Sequence, residues 1–102
     1  MNTQKDNEIT PVLFRKNKRK DGEITAVFPY DSWQCYGKRL ITCYAHMGQH
    51  GSCVWPWVVL NTKPAGPKEY RELKKELESL IGYNLRVLKN AKQVNQRKMY
   101  LL

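Results

Sequence analysis

Long apolar runs are missing from this 102-residue sequence: no stretch approaches the ~20 consecutive apolar residues a bilayer-crossing helix needs. Met1 to Thr10 is polar, with no apolar segment behind it to act as a secretory signal. A cytoplasmic protein without a membrane partner is expected. Cysteine is scarce and odd in number, so Cys35, Cys43 and Cys53 cannot all pair within one chain and are read as reduced thiols. Acids are few as well. Nine Asp and Glu stand against 18 Lys and Arg, a formal net charge of +9, and no acid follows Glu78. The excess favours acidic partners and says nothing about fold. Catalytic signatures are also lacking: no Gly-Lys-Ser/Thr closes a phosphate loop, no nucleophile-base arrangement is legible, and no paired carboxylates lie near the two histidines. The chain is therefore expected not to be an enzyme and to need no cofactor. At this length a single domain is expected, with a thin core, because a folded chain of this size buries only about 60–70% of its unfolded surface.

What is present suggests one α+β domain over residues 11 to 90, preceded by a flexible leader, 1–10, and followed by a basic tail, 91–102. Val12-Leu13-Phe14 is the first compact apolar run and leads through a cationic stretch to Asp21-Gly22, residues that tolerate the positive φ of a tight turn. Ile24, Ala26 and Phe28 then share one face of a returning strand that Pro29 is expected to end, with an aromatic-rich loop from Tyr30 to Gly37. Arg39 to His46 reads as a third strand, interrupted by the glycines at 48 and 51. Ser52 to Leu60 fits either a bulged edge strand or, slightly better, a short helix. The clearest element is a helix over 67–81, where Tyr70, Leu73, Leu77, Leu80 and Ile81 form a stripe, Pro67 suits the first turn and Gly82 suits a left-handed stop. Asn84 to Lys89 alternates as a last strand. A small antiparallel sheet of three to four strands packed on this one main C-terminal helix would bury both apolar faces.

The segments Tyr44-Ala45-His46-Met47-Gly48-Gln49-His50-Gly51, Asn61-Thr62-Lys63-Pro64-Ala65, Pro67-Lys68-Glu69-Tyr70 and Ile81-Gly82-Tyr83-Asn84-Leu85-Arg86-Val87 are distinctive as strings. They resemble short uncharacterised bacterial proteins, often associated with phage or mobile elements, that share a His-x-Gly-Gln-His-Gly segment. The resemblance spans about residues 12 to 89 and implies one compact domain without implying an activity.

Four sets of residues are candidates for function. Arg15, Lys16, Lys18, Arg19 and Lys20, assisted by Lys38, Arg39, Arg86 and Lys89, supply cations that could neutralise phosphates of DNA or RNA, with Tyr30, Trp33 and Tyr36 as aromatic platforms for exposed bases. A nucleic-acid-binding module is the leading expectation, conditional on those cations forming one surface. Trp55 and Trp57, beside Pro56 and several aliphatics, could anchor a protein partner instead, as in a small regulator from a mobile element. His46, Gln49 and His50 form a glycine-flanked bend suited to a proton-transfer role or to a purely structural one. Cys43, His46, His50 and Cys53 include zinc-ligand types, but the spacing matches no zinc finger and strand alternation puts His46 opposite Cys43, so no metal is expected.

Overall fold

The computed structural model describes residues 9–19, 22–35, 38–46 and 49–99. Its organising strand is β1, Thr10–Asn17, which turns back into β2, Ile24–Cys35, in antiparallel register with Leu13 opposite Val27 and Lys16 opposite Ile24. Gly22 has a φ of 79°, the positive value expected at this turn. Outward from β2 follow β3, Lys38–His46, and β4, Gln49–Cys53, both antiparallel to their neighbours. The other flank of β1 is shared. Its first half pairs in parallel with β6, Leu85–Leu88, and its second half pairs antiparallel with β5, Thr62–Pro64.

The sheet is thus mixed and six-stranded, rather than an antiparallel one of three or four strands. Strands β4 and β5 account for the difference, since β6 falls within the alternating segment 84–89. A segment of three residues such as β5 is too brief to show a period, and β4 contains Gly51, a residue that sequence reading treats as a break.

Both faces of the sheet are covered. Val12, Phe14, Ala26, Phe28 and Tyr44 point to one side and pack against Leu73 and Leu77. Those two come from α2, Pro67–Glu76, and from the π turn Leu77–Ile81 that prolongs it. Leu13, Val27 and Ile41 point to the other side and pack against Trp55 and Val58 of α1, Trp55–Asn61, together with Leu88, Val94 and Met99. Burial on both faces explains why Val12-Leu13-Phe14 and Ala26-Val27-Phe28 are continuous apolar runs. One helix on one face was expected; α1 and the chain after β6 supply a second cover.

The helix over 67–81 forms, and Tyr70, Leu73 and Leu77 of its stripe pack on the sheet, although its last turn is a π turn that leaves Leu80 and Ile81 exposed. Pro67 occupies the first turn, where its missing N–H costs nothing, and the Gly66 N–H donates to Glu69 Oε1 at 2.8 Å. Leu77 carbonyl accepts from both Gly82 N–H and Tyr83 N–H, with Gly82 at φ 92° closing the helix. Gly82→Ala is expected to cost about 1–2 kcal/mol, since the left-handed backbone penalises a Cβ. No heavy atom lies within 4 Å of where that Cβ would sit, so urea unfolding of the variant isolates the backbone effect.

One expectation is corrected by local geometry. Pro29 does not end β2: Phe28 pairs with Thr42 and Ser32 with Ile41, so Pro29, Tyr30 and Asp31 form a bulge that accommodates the missing N–H and lets the strand run on to Cys35. The tail also folds back over residues 91–99 as two short 3₁₀ turns, Ala91–Gln93 and Gln96–Lys98. Asn90 and Asn95 cap them by accepting from Lys92 N–H and Arg97 N–H, each at 3.0 Å, and Val94 and Met99 are buried. At the opposite end, Thr10 already belongs to β1, where its N–H donates to Asn84 carbonyl at 2.8 Å.

Candidate functional site

The cationic run after Phe14 divides according to strand alternation. Arg15 faces the same side as Leu13, toward α1, and is only 5% exposed. Its Nε donates to Thr62 Oγ1 and its guanidinium to Thr62 carbonyl, both at 2.8 Å. Burial pulls its pKa below the usual arginine value. Arg15 ties β1 to β5 and does not reach solvent, so its assignment to a nucleic-acid surface is corrected. Lys16 faces the opposite side and pairs with Glu69 at 2.5 Å. The Gly66 N–H, and after it that lysine, hold the exposed Glu69 carboxyl below the ordinary range. Lys18 and Arg19 are exposed, and Lys18 is anchored to the end of α1: its N–H donates to Asn61 carbonyl at 3.1 Å and its Nζ to Leu60 carbonyl at 3.2 Å. Lys20 and Tyr36 lie outside the described residues, as do the side chains of Lys38, Arg39, His46 and Gln49.

On β6, Leu85 and Val87 pack on the α2 side, so alternation turns the exposed Arg86 to the α1 side. Lys89, Lys92, Arg97 and Lys98 follow, all exposed, on the segment that folds over that same face. Tyr30 links this segment to the sheet. Its ring is half-buried against the α1-side core, its Oη accepts from Asn95 N–H at 2.7 Å, and Lys98 Nζ lies 5.9 Å from its ring centre. Trp33 is half-buried.

The acids are distributed differently. Among the described residues, Glu69, Glu72, Glu76 and Glu78 all belong to α2 or its π turn, on the opposite face. Asp31 is turned toward Thr42 on that side too, and Glu23 is exposed at the β1–β2 turn. The α2 face is balanced by Lys68, Arg71, Lys74 and Lys75, whereas the α1 and tail face has cations in excess. Trp55 is buried at 6% exposure as part of the core, which corrects its reading as a partner anchor. Trp57 is 51% exposed and Leu60 72% exposed on the outer side of α1.

A second constellation lies on the α2 face. His50 is paired directly with Tyr44 across β3 and β4, their rings 4.9 Å apart edge to face. His50 Nε2 and Tyr83 Oη share a hydrogen bond of 2.9 Å, and the Tyr83 ring stacks on Phe28 at 5.0 Å. Tyr44 Oη donates to Glu76 Oε2. Asp31 is exposed, yet its carboxyl group is partly sheltered: burial pushes its pKa up, against a hydrogen bond from Thr42 and the attraction of His50. Tyr83 is pushed up as well, by burial and then by Asp31 and Tyr44. Beside this cluster opens a cleft of about 360 Å³ lined by Phe28, Tyr30, Asp31 and Tyr83. Sequence reading had singled out His50 but neither Asp31 nor Tyr83. No local pattern announces them, because a bulge and a helix end bring them together.

Comparison with protein-family models, curated proteins and solved structures finds no match.

Cys43 and Cys53 touch on the α1 face. Cys53 donates its S–H to the Cys43 sulfur, which lowers the Cys43 pKa and raises that of Cys53. They lie on the face opposite His50, because Cys53 pairs with Ile41 and His50 with Tyr44. These three side chains therefore do not converge, and the described residues contain no grouping of three or more metal-ligating side chains.

The raised pKa of Asp31 has a measurable sign. A carboxyl group with a higher pKa in the folded than in the unfolded state binds more protons when folded, so it lowers stability as pH rises through that interval. Asp31→Asn is expected to melt above the parent at pH 7, the gap closing as acid protonates Asp31; thermal melts across pH in both proteins check this.

Proposed function

We propose that the protein is a small nucleic-acid-binding module. The observation that carries this reading is charge asymmetry across the sheet: Lys18 and Arg19 flank one end of α1, Arg86, Lys89, Lys92, Arg97 and Lys98 cover the rest of that side, and four of the six described acids sit on the opposite helix. A face of this kind attracts phosphate and gains affinity by releasing counterions. Trp57 supplies an exposed aromatic surface on α1, whose last residues, Leu60 and Asn61, hold Lys18, and it is suited to stacking with an unpaired base. The preferred partner is a single strand, since a duplex would leave that ring unused. No helix among the described residues is long and apolar enough to cross a membrane.

The test is fluorescence anisotropy with labelled oligothymidylate and a duplex of equal length, titrated across salt. Binding at low salt that weakens steeply as salt rises is expected, with the single strand favoured. Absence of any binding at low salt overturns the reading. Trp57→Ala should weaken single-strand binding by about 1–2 kcal/mol, roughly tenfold, with an unchanged melting temperature.

A second reading is favoured by one feature, the apolar outer surface of Val54, Trp57 and Leu60, which also suits a protein partner. Under that reading Trp57→Ala leaves oligonucleotide affinity untouched.

A further inference from the structure

The cleft on the β2 bulge combines three chemistries in one place. Ile9 and Pro11 form an aliphatic edge, while Phe28, Tyr83 and Tyr30 add aromatic rings and Asp31 is the one acid among the described lining residues. Phe28 and Tyr83 are stacked, 5.0 Å apart with an interplanar angle of 22°; Phe28 is fully buried, so the half-buried Tyr83 is the ring of that pair left to meet a ligand in the cleft. Lys98 Nζ lies 5.9 Å from the Tyr30 ring centre, so a tail cation neighbours one of the lining residues. A volume of about 360 Å³ is within the range of sites for small flat ligands.

We propose that this cleft accepts one unstacked guanine base of a bound single strand, with the Asp31 carboxylate accepting from guanine N1–H and the exocyclic N2 amine. The proposal rests on the nucleic-acid reading above and names the base that the site selects. An ionised carboxylate only accepts, and its two oxygens suit a partner with two adjacent donors. Guanine alone among the common bases has that pair on its Watson–Crick edge. Adenine and cytosine offer one amine beside a ring acceptor, and thymine or uracil offers one N–H between two carbonyls, so each turns an acceptor toward a carboxylate oxygen. Bases recognised in single strands are held in this combined way, by stacking on aromatic side chains and hydrogen bonding along the edge. Thr42 donates a hydrogen bond to the carboxylate and His50 attracts it, while Lys98, over Tyr30, is a cation next to the lining. A free organic cation would also suit a carboxylate beside rings, but the net charge of +9 opposes it.

The experiment compares labelled oligothymidylate with the same strand carrying one central guanine, adenine or cytosine. The guanine strand is expected to bind about tenfold more tightly than the others, within the range of a good bidentate contact. Asp31→Asn should abolish that preference and leave oligothymidylate affinity unchanged; Asp31→Ser serves if the Asn variant is poorly folded. Free guanosine, and not adenosine, should compete with the guanine strand for the wild-type protein, a readout independent of any variant. Equal binding of all four strands, or a preference for adenine or cytosine, overturns the guanine site and leaves the nucleic-acid reading standing. Failure of every strand to bind removes both.

Discussion

Exchanging Lys92, Arg97 and Lys98 together for glutamine is expected to weaken binding of a single-stranded oligonucleotide by about 100-fold or more at about 50 mM monovalent salt, and to flatten the log–log salt dependence by about 2. The arithmetic follows from counterion release: each phosphate contact on a single strand contributes about 0.7 to the slope, and at that salt each is worth a little under tenfold. The three side chains are exposed, and the segment is held by Val94, Met99 and the two asparagine caps instead. Thermal stability should therefore stay within about 0.5 kcal/mol of the parent. The control is the same exchange at Lys68, Lys74 and Lys75 on α2. These lie among Glu69, Glu72, Glu76 and Glu78 on the other face, and Lys74 is already paired with Glu78 at 2.9 Å. Their loss should leave affinity and slope nearly unchanged. Equal effects from the two triple variants would mean that net charge alone drives association and that no face is specialised.

Arg15→Ala should produce the opposite pattern, destabilising the protein by about 2–4 kcal/mol without altering the salt slope. The substitution removes two hydrogen bonds from a charged donor and leaves the buried hydroxyl and carbonyl of Thr62 without that partner. It also opens space on the α1 side, between β1 and β5. Arg15→Lys should recover little, because an ammonium group cannot reproduce the fork that reaches both oxygens of Thr62. Urea unfolding monitored by tryptophan fluorescence measures the loss, and anisotropy at matched folded fraction measures the slope. A stable Arg15→Ala protein whose salt slope falls by about 1 would instead make Arg15 a phosphate contact.

Arg15 also shows where sequence reading stopped. In the string it heads a run of cations, and a run of charge reads as solvated surface; in the strand it alternates with Leu13 and points inward with it. The signal was available in the period of two, once β1 was extended past Phe14. The helix over 67–81 was legible because its stripe, its starting proline and its closing glycine are all local. The sharing of one flank of β1 was not, since it depends on segments remote in the chain. The same holds for the cleft. Asp31 lies on a bulge built around a proline that reads as a strand end, and Tyr83 follows the helix stop, so neither looks like part of a site until the sheet brings Thr42 and His50 between them.

Because β5 and β6 attach to the two halves of the same strand, the chain from Thr62 to Leu88 is a strap fastened at both ends to β1, with α2 between the fastenings. Stepwise peeling of such a strap is disfavoured, since freeing either end alone exposes backbone of β1 while the other end stays bound. Amide hydrogens of β5, α2 and β6 should consequently exchange with solvent as one cooperative unit, and those of β1, gripped from both sides, should be among the last to do so.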